Sequence, residues 1–223
     1  MIYKTYQNMV KAVSAGAALL VLAACGESGN EGSNVVDADA LLAANHEVEA
    51  EAGIWGDIVY GSEDAPIVVV EYASLTCPHC ASFSKNDFPK IKADFIDTGK
   101  VRFHYRNYVM NPVDMRASLV ARCRDMETTK RLMNVFFARQ REWARAEDWT
   151  GALAGLARRT VNMSRTEFDR CASNREMITN LTKMTTGALA FNVAATPTIF
   201  VNGVAAEQND YESLKAMIEK ASN

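Results

Sequence analysis

The spacing of apolar residues changes twice along this chain. Residues 58–60 (IVY) and 67–72 (IVVVEY) are short apolar runs of strand length. The second is nearly continuous, as expected of a strand covered on both faces, and only Glu71 interrupts it. Between them GSEDAP is turn chemistry. A helix is predicted from Cys77 and Cys80 to about Asp97, kinked or interrupted at Pro89, and 101–105 is the next strand. From 112 to about 192 apolar positions instead recur every three or four residues, which predicts helices over 116–123, 129–139, 149–159 and 175–191. Within that block Ser164-Arg165-Thr166-Glu167 has the capping-box pattern, Ser164 capping a helix start and Glu167 reaching back to it. Strand character returns at 198–201 (TIFV), where Asn202-Gly203 signals a two-residue hairpin into 204–205, and an amphipathic helix over 211–221 closes the chain. The order is β-α-β, a helical insertion, then β-β-α, an α/β chain with no internal repeat.

The first 25 residues have a different layout. Lys4 and Lys11 precede an apolar run over 12–24, with no acidic residue. That is the arrangement of an export signal. The run falls short of the roughly 20 residues a membrane-spanning helix needs and is rich in small residues, so the anchor-helix reading is the weaker one. It ends in Leu22-Ala23-Ala24-Cys25, which resembles the lipobox of bacterial lipoproteins, where the cysteine is lipidated. The alternative is ordinary cleavage after a small residue. Residues 26–53 then read as a flexible, acidic tether, with a short acidic helix expected over 37–52, and folded structure is expected from about residue 54. The net charge of −3, with lysines and arginines dispersed, provides no basic face for nucleic acid.

Export places the five cysteines in an oxidising compartment. With Cys25 set aside for a lipid, Cys77, Cys80, Cys123 and Cys171 form an even set. A strand that delivers Cys77-Pro78-His79-Cys80 to the first turn of a helix has a chemical consequence. The unpaired N–H groups and dipole of that turn favour a thiolate on Cys77 over the thiol. A protonated His79 would add positive charge, and Pro78 suits the opening position because its missing N–H costs nothing there. Cys77, nearer the helix mouth, is then the attacked sulfur, and Cys80, one turn in, its resolving partner. Two other readings stay open. A zinc site needs two further ligands, and His46 and His104 are isolated. An inert disulfide in so small a ring restrains an unfolded chain little. Met133, Phe136, Phe137, Met177, Met184 and Phe191 sit at helical spacing and read as core in preference to a peptide groove.

The stretch EYASLTCPHC, the helical insertion, and AATPTIFVNG near the C-terminus together resemble a DsbA-like thiol:disulfide oxidoreductase of the thioredoxin superfamily. The resemblance runs from about residue 54 to the end. It implies a thioredoxin fold whose N-terminal βαβ part (54–111) and C-terminal ββα part (193–223) flank a helical insertion (112–192). It also implies a cis peptide bond between Thr196 and Pro197, lying against the cysteines and exposing a backbone edge to substrate. Glu71 is a carboxylate reaching solvent at a sheet edge or, by the family reading, a buried acid that handles the proton of Cys80. The lysine that often accompanies that acid is absent, with Phe103 near its place and Arg102 and Arg106 nearby. Cys123 and Cys171 are free buried thiols or, as in some relatives, a second, structural disulfide.

The implied activity is donation of the Cys77-Cys80 disulfide to exported proteins in the bacterial envelope, with no cofactor or metal and with a DsbB-like, quinone-linked membrane protein as reoxidant. The alternatives are a disulfide isomerase or reductase of the same fold, or an envelope metallochaperone holding Cu(I) on the two thiolates.

Overall fold

The computed structural model describes residues 35–44, 49–50, 53–54 and 56–222. The expected signal over 1–25, Cys25, His46 and much of the tether lie outside them. The chain divides into two units, 1–32 and 33–223. The second begins with helix α1 (Ala38–Ala43), strands β1 (Glu49–Ala50), β2 (Gly53–Ile54), β3 (Ile58–Tyr60) and β4 (Ile67–Ala73), helices α2 (Pro78–Asn86) and α3 (Phe88–Ile91), a π-helical turn Lys92–Ile96, and strand β5 (Val101–Asn107). Helices α4 (Pro112–Ala121), α5 (Met126–Ala138), α6 (Gln140–Trp143), α7 (Trp149–Val161), α8 (Arg165–Ala172) and α9 (Arg175–Gly187) come next, then a 3₁₀ turn Ala188–Phe191. Strands β6 (Thr198–Val201) and β7 (Val204–Ala205) and helix α10 (Tyr211–Ala221) complete it.

Five strands pair in the order β3-β5-β4-β6-β7, with β4 and β5 parallel and the other neighbours antiparallel. The parallel pair needs a crossover, and α2 and α3 supply it. In β4 the pleat sends Ile67, Val69, Glu71 and Ala73 to one face and Val68, Val70 and Tyr72 to the other. The first face joins the larger core, which includes Cys77, Cys80, Phe83, Phe103, Tyr105 and the inner sides of α5 and α7. The second is covered by Leu41, Ala188, Val193 and Phe200. The hairpin turns at Asn202 and Gly203, both at positive φ, where a glycine Cβ would also lie against the Val36 carbonyl.

Three expectations are adjusted. The helix expected from the cysteines to about Asp97, kinked or interrupted at Pro89, is indeed interrupted, with the break after Asn86 and α3 restarting with Pro89 in its first turn. Proline lacks the N–H and crowds the preceding turn, so it opens a helix where it cannot continue one. The tether expected over 26–53 does not extend through 35–44, and the short helix expected over 37–52 forms only as α1 at its start. Asp37 caps α1, Leu41 is buried on the sheet, Val36 N–H donates to Gly203 O, and Val35 bridges Val204. Third, Glu167 does not close a capping box. Ser164 Oγ accepts from the Glu167 N–H (3.2 Å), but the Glu167 carboxylate takes a bidentate bond from Arg124 (2.7 and 2.6 Å), a stronger partner than a backbone N–H.

A polar cluster staples the far face. Arg106 donates to both oxygens of Asp57 (2.7 and 2.8 Å), to Tyr72 Oη (3.0 Å) and to the Leu42 carbonyl (3.3 Å), and His104 Nδ1 lies 2.9 Å from Asp57. Burial opposes ionisation of Asp57, yet its bonds and charge contacts with His104 and Arg106 outweigh that and hold its carboxyl below the ordinary range. Elsewhere a disulfide joins Cys123, just past α4, to Cys171 on α8, 48 residues apart. Closing a loop of that length is worth up to about 4 kcal/mol on the chain-entropy account.

Candidate active site

Strand β4 ends at Ala73, and the next three residues are held from several sides. Leu75 N–H donates to Asp114 Oδ1 (3.0 Å), Thr76 N–H to Ser74 Oγ (3.1 Å), and Cys77 N–H to Ser74 O (3.2 Å). Gln140 on α6 donates its amide to the carbonyls of Leu75 and Cys77, both at 2.9 Å, and Asn111 donates to Thr76 Oγ1 (2.9 Å). Cys77 therefore reaches its place already fixed. It is the N-cap of α2 in extended backbone (φ −78, ψ 122), with Pro78 in the first turn, and its sulfur accepts from the Cys80 N–H at 3.4 Å.

Thr196, in cis linkage to Pro197, faces this cap from 119 residues away. The Cys77 thiol donates to the Thr196 carbonyl (3.3 Å), while the Thr196 hydroxyl donates to Met110 Sδ (3.5 Å). The site thus draws on the strand–helix junction, the loop before α4, α6 and the loop before β6.

Cys77 and Cys80 are both thiols in this structure, 6% and 0% exposed. The Cys77 pKa is lowered to about 5. The largest cause is a hydrogen bond from the Cys80 thiol. Burial opposes it, and the Thr196 hydroxyl and the backbone N–H groups of Cys80 and His79 add to it. Part of this role was expected of the imidazolium of His79. The ring is exposed, and it is the backbone of His79 that acts on the sulfur. Cys80 is driven strongly the other way, by burial first and then by the bond it donates to Cys77 and the charges of Glu71 and Cys77. One sulfur ionises easily and its neighbour resists.

Glu71 is 5% exposed and its pKa is pushed up to about 8, by burial first and then by the negative charge of Cys77. It does not reach solvent at a sheet edge, because β4 is central in the sheet. Arg106 is no partner for it either. Successive side chains of β5 alternate, so Arg102 and Arg106 belong to the opposite face from Phe103 and Tyr105, and Tyr105 is the residue paired with Glu71. A cleft of about 540 Å³, walled by Tyr60, Phe88, Phe103 and Phe137 with Lys130 among its polar groups, reaches Glu71. Among the described residues there is no group of three or more His, Cys, Asp or Glu side chains placed to hold a metal ion.

The structure brings Glu71, Cys77, Pro78, His79, Cys80, Thr196 and Pro197 into one site, and places Cys123 and Cys171 in a disulfide between two helices of the insertion. Met133, Phe136, Phe137, Met177 and Met184 are core. Sequence reasoning missed Met110, Asp114 and Gln140. For Asp114 there was a signal, since Asn111-Pro112-x-Asp114 is a helix start with Asn111 as its cap. For Gln140 there was none, because its partners lie 63 and 65 residues away.

A profile of the family described as Thioredoxin matches residues 55–220. A Rickettsia bellii protein provisionally named a protein-disulfide oxidoreductase is 33% identical over 169 residues, 74% of this chain and 64% of that protein. The chain thus spans somewhat less than two thirds of the length of that relative. Disulfide bond formation protein D of Bacillus subtilis is 30% identical over 181 residues, 79% of this chain and 82% of that protein. Among solved structures, α-DsbA1 of Wolbachia pipientis superposes with a TM-score of 0.70 at 24% identity, covering 83% of this chain and 96% of that one, a likeness of fold.

Proposed function

The chain belongs to the thioredoxin superfamily in its DsbA-like form, and from that premise we propose that it oxidises dithiols of exported proteins by donating its Cys77-Cys80 disulfide. The observation that carries this reading is the opposed ionisation of two sulfurs in one helix cap, Cys77 poised as thiolate and Cys80 as thiol. Stabilising a thiolate stabilises the reduced protein and makes its disulfide the stronger oxidant.

A substrate thiolate attacks Cys77 Sγ, the Cys77–Cys80 bond breaks, and Cys80 departs with the electron pair and takes up a proton. A second substrate thiolate then attacks the substrate sulfur of the mixed disulfide and expels Cys77 as thiolate. The substrate loses two electrons and the Cys77-Cys80 pair gains them. The Thr196 backbone, beside Cys77, offers an edge on which an extended substrate segment pairs during the mixed-disulfide stage. Asp114, Gln140 and Asn111 are positioning residues that hold the 74–77 turn. Cys123 and Cys171 have a structural part only.

Glu71 supplies the proton that Cys80 needs on leaving, because burial keeps it protonated at neutral pH and it lies close enough to Cys80 for its ionised form to act on that sulfur. Glu71→Gln is expected to slow oxidation of a dithiol peptide by about 10²-fold. With substrate thiols already ionised, the wild-type rate falls as pH rises through the Glu71 pKa, which burial holds above the ordinary carboxyl range, and the variant lacks that inflection. Stopped-flow rates across pH check this, and an unchanged inflection in the variant removes Glu71 from the relay.

Residues 1–25 serve as an export signal, with Cys25 as lipid acceptor, and the folded part works in the periplasm or cell envelope. A DsbB-like membrane oxidase restores the disulfide. The deciding measurement is the equilibrium potential of the Cys77-Cys80 couple against glutathione. A value well above the roughly −200 to −230 mV of glutaredoxins is expected, and one near thioredoxin's roughly −270 mV would overturn the oxidase reading. Rapid refolding of scrambled ribonuclease without added oxidant would point to isomerisation. Stoichiometric Cu(I) binding lost in Cys77→Ser, without thiol oxidation, would point to metal carriage.

A further inference from the structure

We propose that Asn209 is a positioning residue for substrate binding: its side-chain amide fixes the carbonyl of Pro197 and through it aims the Thr196 edge on which an extended substrate pairs. The inference rests on that pairing and names what holds the edge in place.

Asn209 lies in the loop between β7 and α10, 12 residues past Pro197, and its Nδ2 donates to the Pro197 carbonyl at 2.8 Å. Only one orientation of the amide serves, since a carbonyl accepts and never donates. The nitrogen faces Pro197, and Oδ1 turns to a buried position with no donor among the described residues. The loop is itself tied down on both sides. Ala206 N–H donates to Ile199 O (2.8 Å) on β6, Asp210 caps α10 by accepting from the Ser213 N–H (3.1 Å), and Tyr211 N–H donates to Asp87 Oδ1 (3.2 Å). Asp87 closes α2, the helix that Cys77 opens. Asn209 thus works from a frame fixed to both the strand and the helix of the site.

The bond reaches Thr196 by a short covalent route. The peptide unit that carries Thr196 O is planar and ends at the Pro197 Cα. From there two torsions lead to the Pro197 carbonyl, and the proline ring locks one of them, φ. The other, ψ of Pro197, is set when Asn209 holds the carbonyl. On the near side of the turn Thr198 Oγ1 donates to Ala195 O (2.8 Å). A third tie, from the Cys77 thiol to Thr196 O (3.3 Å), needs the Cys77 proton. A disulfide sulfur has no proton to give, so the form that receives substrate presents the edge without that tie and relies on the bond from Asn209.

The test compares stopped-flow second-order rates at which the disulfide forms of wild type, Asn209→Ala and Asn209→Leu oxidise an extended dithiol peptide and dithiothreitol. Both variants remove the donor, and leucine keeps the size of asparagine. With the peptide both are expected to be about 3- to 10-fold slower, the scale of one hydrogen bond. With dithiothreitol, which has no backbone to pair with Thr196, both should match wild type. The proposal is overturned if the variants oxidise the peptide as fast as wild type, or if they slow on both reductants equally, as a general loss of structure would make them. A wild-type protein that oxidises neither reductant would instead sink the disulfide-donor reading, and this proposal with it.

Discussion

Thiolate absorbance of the reduced protein is expected to rise with a midpoint near pH 5, more than three units below free cysteine, and Cys77→Ser should abolish both that titration and dithiol oxidation. The largest cause of the low value is the bond from the Cys80 thiol, so Cys80→Ala should move the midpoint upward while Cys80→Ser, which keeps a donor, should hold it low. The folded value is depressed. Its stabilisation of the reduced fold is therefore full above the unfolded pKa, near 8.5, shrinks as pH falls, and is gone below about 5. The disulfide form has no such group, so the potential tracks the same titration. Below pH 5 the couple takes up two protons with its two electrons, and the potential should fall by about 59 mV per pH unit. Above pH 5 only Cys80 takes up a proton, and the slope should halve to about 30 mV. A midpoint near 8.5, or an unbroken 59 mV slope up to pH 8, would refute the account of the site.

Asp57→Ala is expected to cost about 3–5 kcal/mol of unfolding free energy, a large fraction of what a domain has, because it strands the buried Arg106 guanidinium without its bidentate partner. Urea unfolding of the disulfide form measures it. Replacing both partners by apolar residues, as Asp57→Leu with Arg106→Met, should cost less than Asp57→Ala, since no charge is then left buried. The pH dependence has a fixed sign. Asp57 has a depressed folded pKa, so its contribution is fully present above its unfolded value, about 3.9, and is lost as pH falls through the folded one. The part of the gap between wild type and Asp57→Ala that comes from the Asp57 carboxylate should close only in strong acid. A loss under about 1 kcal/mol would mean that the far face of the sheet does not depend on this pair. The same variant should leave the Cys77 midpoint near 5, because Asp57 lies across the sheet from the sulfurs.

What could be read in the sequence was what short-range physics controls. The Cys77 cap, the first-turn Pro78, the amide of Cys80 on the Cys77 sulfur, and the Asn202-Gly203 turn are all interactions within three or four residues. The strands over 67–73 and 198–201 and the helix over 211–221 were equally legible, since their apolar spacing states which face meets the core. Helix ends were less so. Glu167 had a local partner available and took Arg124, 43 residues away, because a guanidinium binds a carboxylate more strongly than an amide does.

The groups that hold the cap in place and meet its sulfur from outside the helix came from long range. Thr196 comes from 119 residues beyond Cys77, Gln140 from 63 and Asp114 from 39 residues past Leu75, and no periodicity in a sequence encodes which distant hydroxyl, amide or carboxylate a loop will meet. The side on which Arg106 and Glu71 fall was likewise open until the β4–β5 register set their parity. By itself, then, the sequence determined which sulfur could ionise, because helix-terminal amides follow from local backbone geometry. The tertiary structure alone decided how far that preference goes and which groups exchange protons with it, because burial and charge act through space.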